Sequence, residues 1–226
     1  LAQSSTNLLT DAASPQAGPA AVKALPRWEQ RTPLPGARSR LATVGFGNRI
    51  YAIGGEDENG NAVNSVVSYD LAINDWEQMA PLPEALANAA ATVIGDQLYV
   101  AGGSHNGEAP GVQVLSDKLY RYDTATNQWQ EAQMLPYPVA GAALVADGSL
   151  LYLIGGWDGQ KMRDEIWRMQ TDESLGDTAW ERVGHLSKAR AFIGAVPIGS
   201  EIYIAGGFDG QRELDLVEVF DPDRAE

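Results

Sequence analysis

Two kinds of segment carry the side chains best suited to chemistry. The first lies directly after a Gly-Gly pair. It holds Glu56, Asp57 and Glu58 after one pair, and His105, Asn106 and Glu108 after the next. After the third pair come Trp157, Asp158, Lys161 and Arg163, and after the fourth Phe208, Asp209 and Arg212. The second kind lies ahead of an alanine-rich or β-branched run and supplies Arg38, Arg40, Asn88, Tyr137, Lys188 and Arg190. A guanidinium presents a planar fork that matches a carboxylate, and an aromatic ring offers a flat apolar face. Gathered on one surface, these groups would capture an acidic peptide or a carboxylated sugar. The competing account is plainer. Loop charges are usually solvated, Asp158-Gly159 and Asp209-Gly210 are turn formers, and Trp157 and Phe208 serve local packing.

Other chemistries lack their residues. His105 and His185 are the only histidines and stand far apart, so neither a metal site nor a nucleophile–histidine pair is expected. There is no cysteine, which excludes disulfides, thiolate ligands and cysteine nucleophiles. The run Asp57-Glu58-Asn59-Gly60-Asn61 has a faint likeness to a calcium loop. It has Ala62 where the glycine belongs and Ser68 where the glutamate belongs. No Gly-Lys-Ser/Thr is present to cradle a phosphate. No catalytic residue, metal or cofactor is therefore assigned. A net charge of −14 repels phosphate backbones and anionic lipids, so nucleic acid is not an expected partner. No apolar run approaches the ~18 residues of a membrane span.

What positions the loops is a repeat. The stretch Leu150-Leu151-Tyr152-Leu153-Ile154-Gly155-Gly156 recurs as Ile50 to Gly55, Leu98 to Gly103 and Ile202 to Gly207. The glycine pairs are 48, 53 and 51 residues apart, and so are Trp28, Trp76, Trp129 and Trp180. Each tryptophan precedes its pair by 26 residues, so all length variation falls after the glycines. A fixed half and an elastic half imply a rigid scaffold with variable loops, and a period near 50 argues for a propeller or solenoid. Each unit reads as strands: a run such as 89–94, a Gly-Asp or Gly-Asn turn, the tyrosine run, then 66–70 or its counterpart, then the next tryptophan. A sheet that is apolar on both faces must be stacked to be buried, and glycine lets one backbone approach the next. Residues 1–26, rich in Ala, Ser and Pro, read as a flexible leader or linker.

This arrangement resembles the kelch repeat. The marks are Tyr51/Gly54/Gly55/Tyr69/Asp70/Trp76 and Tyr99/Gly102/Gly103/Tyr122/Asp123/Trp129. The third unit keeps Tyr152, the glycine pair and Trp180 but has Met169-Gln170 for Tyr-Asp, and the fourth has Phe220-Asp221 and no tryptophan after it. The resemblance implies an all-β, kelch-type β-propeller over residues 27–226, with four four-stranded blades in units of about 28–75, 76–128, 129–179 and 180–226. Kelch rings commonly have more blades, so part of a longer propeller is the favoured reading. Trp28, on an orphan fourth strand, offers the other way to complete the last blade.

In such a propeller the loops joining the fourth strand of one blade to the first of the next, and those joining second to third strands, share a face where ligands bind. The expected ligand-binding residues are Arg38, Arg40, Asp57, His105, Trp157, Asp158, Arg163, Lys188, Arg190, Phe208, Asp209 and Arg212. The expected function is a non-catalytic module that binds a protein or glycan, within a secreted or envelope bacterial protein that carries other domains. A cytoplasmic setting is also compatible. The alternative is a carbohydrate-active enzyme of the sialic-acid epimerase or sialidase kind, in which an arginine cluster grips the substrate carboxylate.

Overall fold

The computed structural model describes residues 27–109, 111–171 and 178–224. By its contacts the chain divides into residues 1–31 and residues 32–226. The expected leader, 1–26, lies outside the described residues. Within 27–31 there is no strand and Trp28 is exposed, so the orphan fourth strand expected there does not form.

All the described strands lie in residues 32–226. The first blade is β1 (Ala42–Phe46), β2 (Arg49–Ile53), β3 (Val66–Asp70) and β4 (Asp75–Gln78), paired in that order and antiparallel throughout. The second is β5 (Ala90–Ile94), β6 (Gln97–Ala101), β9 (Leu119–Asp123) and β10 (Gln128–Glu131). Its longer loop folds as a separate hairpin, β7 (Ser104–Asn106) with β8 (Gln113–Leu115), which the sequence did not announce. The third is β11 (Ala143–Asp147), β12 (Leu150–Ile154), β13 (Glu165–Gln170) and β14 (Glu181–His185). The fourth has three strands, β15 (Gly194–Ile198), β16 (Glu201–Ala205) and β17 (Val217–Phe220). The first strands β1, β5, β11 and β15 stand side by side in sequence order. They line the axis because their small residues let four sheets crowd there.

Each sheet is apolar on both faces, and each face that lies between two blades is buried by its neighbour. One cluster joins Tyr51, Ile53 and Val66 of the first blade to Leu98, Val100 and Tyr122 of the second. A second joins Tyr99 and Leu119 to Leu151, Leu153 and Met169. A third joins Tyr152 and Ile154 to Ile202 and Ile204. The tyrosine before each of the first three glycine pairs thus faces the next blade: Tyr51 meets Tyr122 edge-on at 6.2 Å, and Tyr152 meets Phe220 at 6.2 Å. The Tyr-Asp and Trp marks have a separate task at the outer edge. Tyr122 Oη donates to Asn127 Oδ1 at 2.7 Å, the same oxygen accepts from the Ala80 amide at 2.8 Å, and Trp129 Nε1 donates to the Ala80 carbonyl at 2.9 Å. Tyr69, Asn74, Thr32 and Trp76 repeat this lock in the first blade. In the third blade, where Met169 replaces the tyrosine, Trp180 Nε1 is buried without a partner.

Candidate functional site

The two loop sets come together on one face because short bridges tie them within each blade. Ser39 pairs with Glu56, Ala87 with Ser104, Ala140 with Trp157 and Ala191 with Phe208. The next residue in each turn is left-handed: Arg40 (φ 54), Asn88 (φ 55), Gly141 (φ 64) and Phe192 (φ 56). For three side-chain-bearing residues this conformation costs about 1–2 kcal/mol each. It is held by backbone bonds that run from blade to blade. The Asn88 amide donates to the Arg40 carbonyl at 2.9 Å, Gly141 to Asn88 at 2.9 Å, and Phe192 to Gly141 at 2.7 Å.

This turn aims the side chains of Arg40, Asn88 and Phe192 toward the axis, while the third blade has Gly141 there and reaches the axis with Ala140 and Trp157. A cleft of about 450 Å³ opens there, lined by Arg40, Asn88, Ser104, Gln113, Ala140, Trp157 and Phe192. Every blade contributes. Phe192 is 55% exposed, an unusual exposure for a large ring, and Trp157 is half-buried. Phe192, Ser104 and Gln113 were not foreseen. The shared spacing of Arg40, Asn88, Gly141 and Phe192 could have revealed the first, but Gln113 needs the β7–β8 hairpin.

Most of the expected cations are engaged inside their own blades. Arg38 Nη1 donates to the Ser65 carbonyl at 3.0 Å, and burial pulls its pKa down. Arg40 Nη1 meets Glu56 Oε1 at 2.8 Å. Arg163 sits 4.2 Å above the Tyr137 ring, with Glu165 at 2.6 Å and Asp158 at 3.1 Å. Burial pushes the Tyr137 hydroxyl up to about 12. Lys188 pairs with Asp209. Arg190 is enclosed completely, its Nη1 on Glu218 Oε2 at 2.5 Å and on the Lys188 carbonyl at 3.1 Å. It lies between blades and not on the surface where a ligand would meet it. The arginines therefore do not form one free cluster aimed at a carboxylate.

The aspartates are turn formers first. Asp57 Oδ1 accepts the amides of Asn59 and Asn61, Asp158 Oδ1 those of Gln160 and Lys161, and Asp209 Oδ1 those of Gln211 and Arg212. Burial raises the Asp158 carboxyl, but the Lys161 and Gln160 amides and the Arg163 guanidinium outweigh it and hold it low. Lys188, with the two amides, holds Asp209 well below the usual carboxylate range. His105 is half-buried on β7, with Nδ1 3.2 Å from the Asn106 carbonyl. Phe208 is half-buried in its bridge, and Arg212 is exposed. Among the described residues no cluster of His, Asp and Glu is set to hold a metal ion.

Comparison with known proteins settles the family. The family model described as the KLHDC2/KLHL20/DRC7 Kelch-repeats domain matches residues 23–207, most of the chain. The chain belongs to the kelch-repeat family. Relatives of this kelch chain include beta-scruin of Limulus polyphemus, 28% identical over 85% of the chain and 21% of that protein. Spermatocyte protein spe-26 of Caenorhabditis elegans is 34% identical over 47% of the chain and 20% of its own length. Human Kelch-like protein 23 is 29% identical over 47% of the chain and 18% of its length. The kelch chain spans about a fifth of the length of these curated relatives. Among solved structures, YjhT superposes with a TM-score of 0.68 at 21% identity, covering 78% of this chain and 61% of its own, which is a likeness of fold.

Proposed function

We propose that this kelch unit is a non-catalytic binding module that holds a polypeptide segment over its axial cleft. One observation carries the reading: Arg40, Asn88, Trp157 and Phe192, one from each blade, line a single opening. Trp157 and Phe192 give an apolar slot for one inserted side chain. The Asn88 and Gln113 amides suit the ligand's backbone, since an amide can both donate and accept. The cations expected to grip a carboxylate are mostly spent on Glu56, Asp158, Glu165, Asp209 and Glu218. With a net charge of −14 the protein steers neutral or basic segments better than acidic ones.

The test is a panel of 15-residue peptides with one central leucine and flanks of serine, lysine or glutamate, titrated by fluorescence polarisation. Serine and lysine flanks should bind at least about tenfold tighter than glutamate, and Phe192→Ala should weaken them by about tenfold, as expected for an aromatic anchor. Equal binding of all three, or no loss in Phe192→Ala, would overturn this choice of cleft and ligand. Sialic acid incubated with the protein and followed by NMR should remain unchanged; turnover would instead place an enzyme on this scaffold.

A further inference from the structure

The second blade carries more loop than a blade needs. From the glycine pair to the third strand it has 15 residues (104–118), against 10 in the first blade (56–65), 8 in the third (157–164) and 9 in the fourth (208–216). The shorter segments close on single bridges, Glu56 with Ala62, Trp157 with Met162 and Phe208 with Glu213. The extra residues of the second blade become the β7–β8 hairpin, which stands on the loop face between two neighbouring blades.

This hairpin has one closed edge and one open edge. Ser104 is paired with Leu115 and Asn106 with Gln113. Just outside those pairs, the Ser116 amide donates to the Gly103 carbonyl at 2.9 Å and the Gly107 amide to the Val112 carbonyl at 2.8 Å. Bonded and non-bonded pairs alternate along an antiparallel ladder. Ser104, Asn106, Gln113 and Leu115 therefore turn their backbone N–H and C=O away from the partner strand. On the β7 side Ser104 spends both groups on Ala87, at 2.7 and 2.8 Å, and Asn106 Oδ1 accepts the Ala62 amide of the first blade at 3.1 Å. On the β8 side the amides and carbonyls of Gln113 and Leu115 have no partner among the described residues.

Nothing guards that edge. Edge strands are usually blunted by lysine, proline or a bulge. Here Val112, Gln113 and Val114 are exposed and uncharged. Two residues of extended chain span about 6.8 Å, so the Gln113 and Leu115 groups match the repeat of another extended backbone. Gln113 also lines the axial cleft with Trp157 and Phe192. Residues opposite each other on neighbouring strands share a face, so a side chain opposite Gln113 falls on the cleft side.

We infer that the polypeptide held at the cleft binds as a third strand on β8, its backbone paired with Gln113 and Leu115. The inference rests on the cleft reading above and adds the ligand's conformation. An extended segment fits, with alternate side chains toward Trp157 and Phe192 and the others on the side of Val112 and Val114. A helical segment does not, because its N–H and C=O groups are already bonded to each other. The main chain supplies affinity and the alternate side chains supply selectivity.

The probe is the lysine-flanked leucine peptide, titrated by fluorescence polarisation with its backbone N-methylated at one residue at a time. Loss of an N–H should weaken binding by about tenfold at every second residue around the leucine, and by under about twofold at those between. On the protein, Gln113→Pro removes an N–H that β7 does not use, whereas Gln113→Ala keeps it, and both lack the glutamine side chain. Gln113→Pro should bind about tenfold less tightly than Gln113→Ala, with matching circular dichroism. The peptide scan reads the same contact without altering the protein. If the unmodified peptide does not bind, or binds Phe192→Ala as well as wild type, the cleft reading falls and strand addition with it. If it binds and needs Phe192, yet methylation shows no alternation or the two Gln113 variants bind alike, the cleft reading stands and strand addition is overturned. A wild type that self-associates in light scattering while Gln113→Pro is monomeric would give the edge to a second copy and overturn it as well.

Discussion

The third and fourth blades are written in nearly the same letters and end in different states. Leu151-Tyr152-Leu153-Ile154-Gly155-Gly156-Trp157-Asp158-Gly159 and Ile202-Tyr203-Ile204-Ala205-Gly206-Gly207-Phe208-Asp209-Gly210 share apolar pattern, glycine pair and Asp-Gly turn. Both form the same hairpin in the same register. Yet Val145 in β11 is buried while Val196, its counterpart in β15, is exposed, and Ile166 is buried while Val217 is not. The difference is the neighbour. A blade makes its own hydrogen bonds but cannot cover its own face, so its stability is a sum of intrinsic and interface contributions.

The comparison is broken most sharply at the glycine pairs. Gly155→Val should destabilise by about 3–5 kcal/mol, from overpacking against the Arg190 carbonyl together with left-handed strain. Gly206→Val carries the strain alone and should cost about 1–2 kcal/mol. Urea midpoints measure both, and equal losses would mean that the next blade's carbonyl is not what reserves the space. A second contrast uses the tyrosine strands. Leu151→Ala, in the core, should cost about 2–4 kcal/mol, and Ile50→Ala, half in solvent, under about 0.5 kcal/mol in dilute protein.

Smaller again is the outer lock. Asn127→Ala should cost about 1–2 kcal/mol, because the Tyr122 hydroxyl and the Ala80 amide lose their shared acceptor. The third blade, which has no such tyrosine, shows what the fold tolerates without it. The smallest effect is acid sensitivity around Arg163. Burial raises the Glu165 carboxyl, but the backbone amides and the Arg163 guanidinium bring it below its ordinary value. A depressed folded pKa gives stability that is present at neutral pH and lost as pH falls through the folded pKa. Glu165→Gln should therefore flatten the loss of stability below about pH 4, read as a reduced shift of the melting temperature between pH 7 and pH 3.

Much of the fold was legible because its signals are local and repeated. Strands 49–53, 97–101, 150–154 and 201–205 follow from apolar runs between a tight turn and a glycine pair, and four copies at matched spacing removed the ambiguity of any one. The loop residues were legible as a set and misleading one by one. Arg190 and Arg38 hold the same repeat position, yet Arg190 is enclosed on Glu218 while Arg38 is half-buried on the Ser65 carbonyl. The repeat position does not decide between them, because an arginine's fate depends on which acceptors the folded blades bring near. Phe192 opens the apolar run 192–196, yet it takes a left-handed turn that turns its ring to solvent, and the strand begins only at Gly194.

By itself the sequence determined the blade: strand order, turn positions, the glycine gap and the spacing that repeats them, all set by backbone preference and by side chains within about fifty residues. The tertiary structure alone decided which faces are covered, which cations are spent and where an aromatic cleft opens. The covered faces and the cleft depend on groups about a whole repeat away in the chain, brought within a few ångströms only when one sheet is laid against the next, and the spent cations depend on carboxylates that the folded loops and strands of one blade bring beside them.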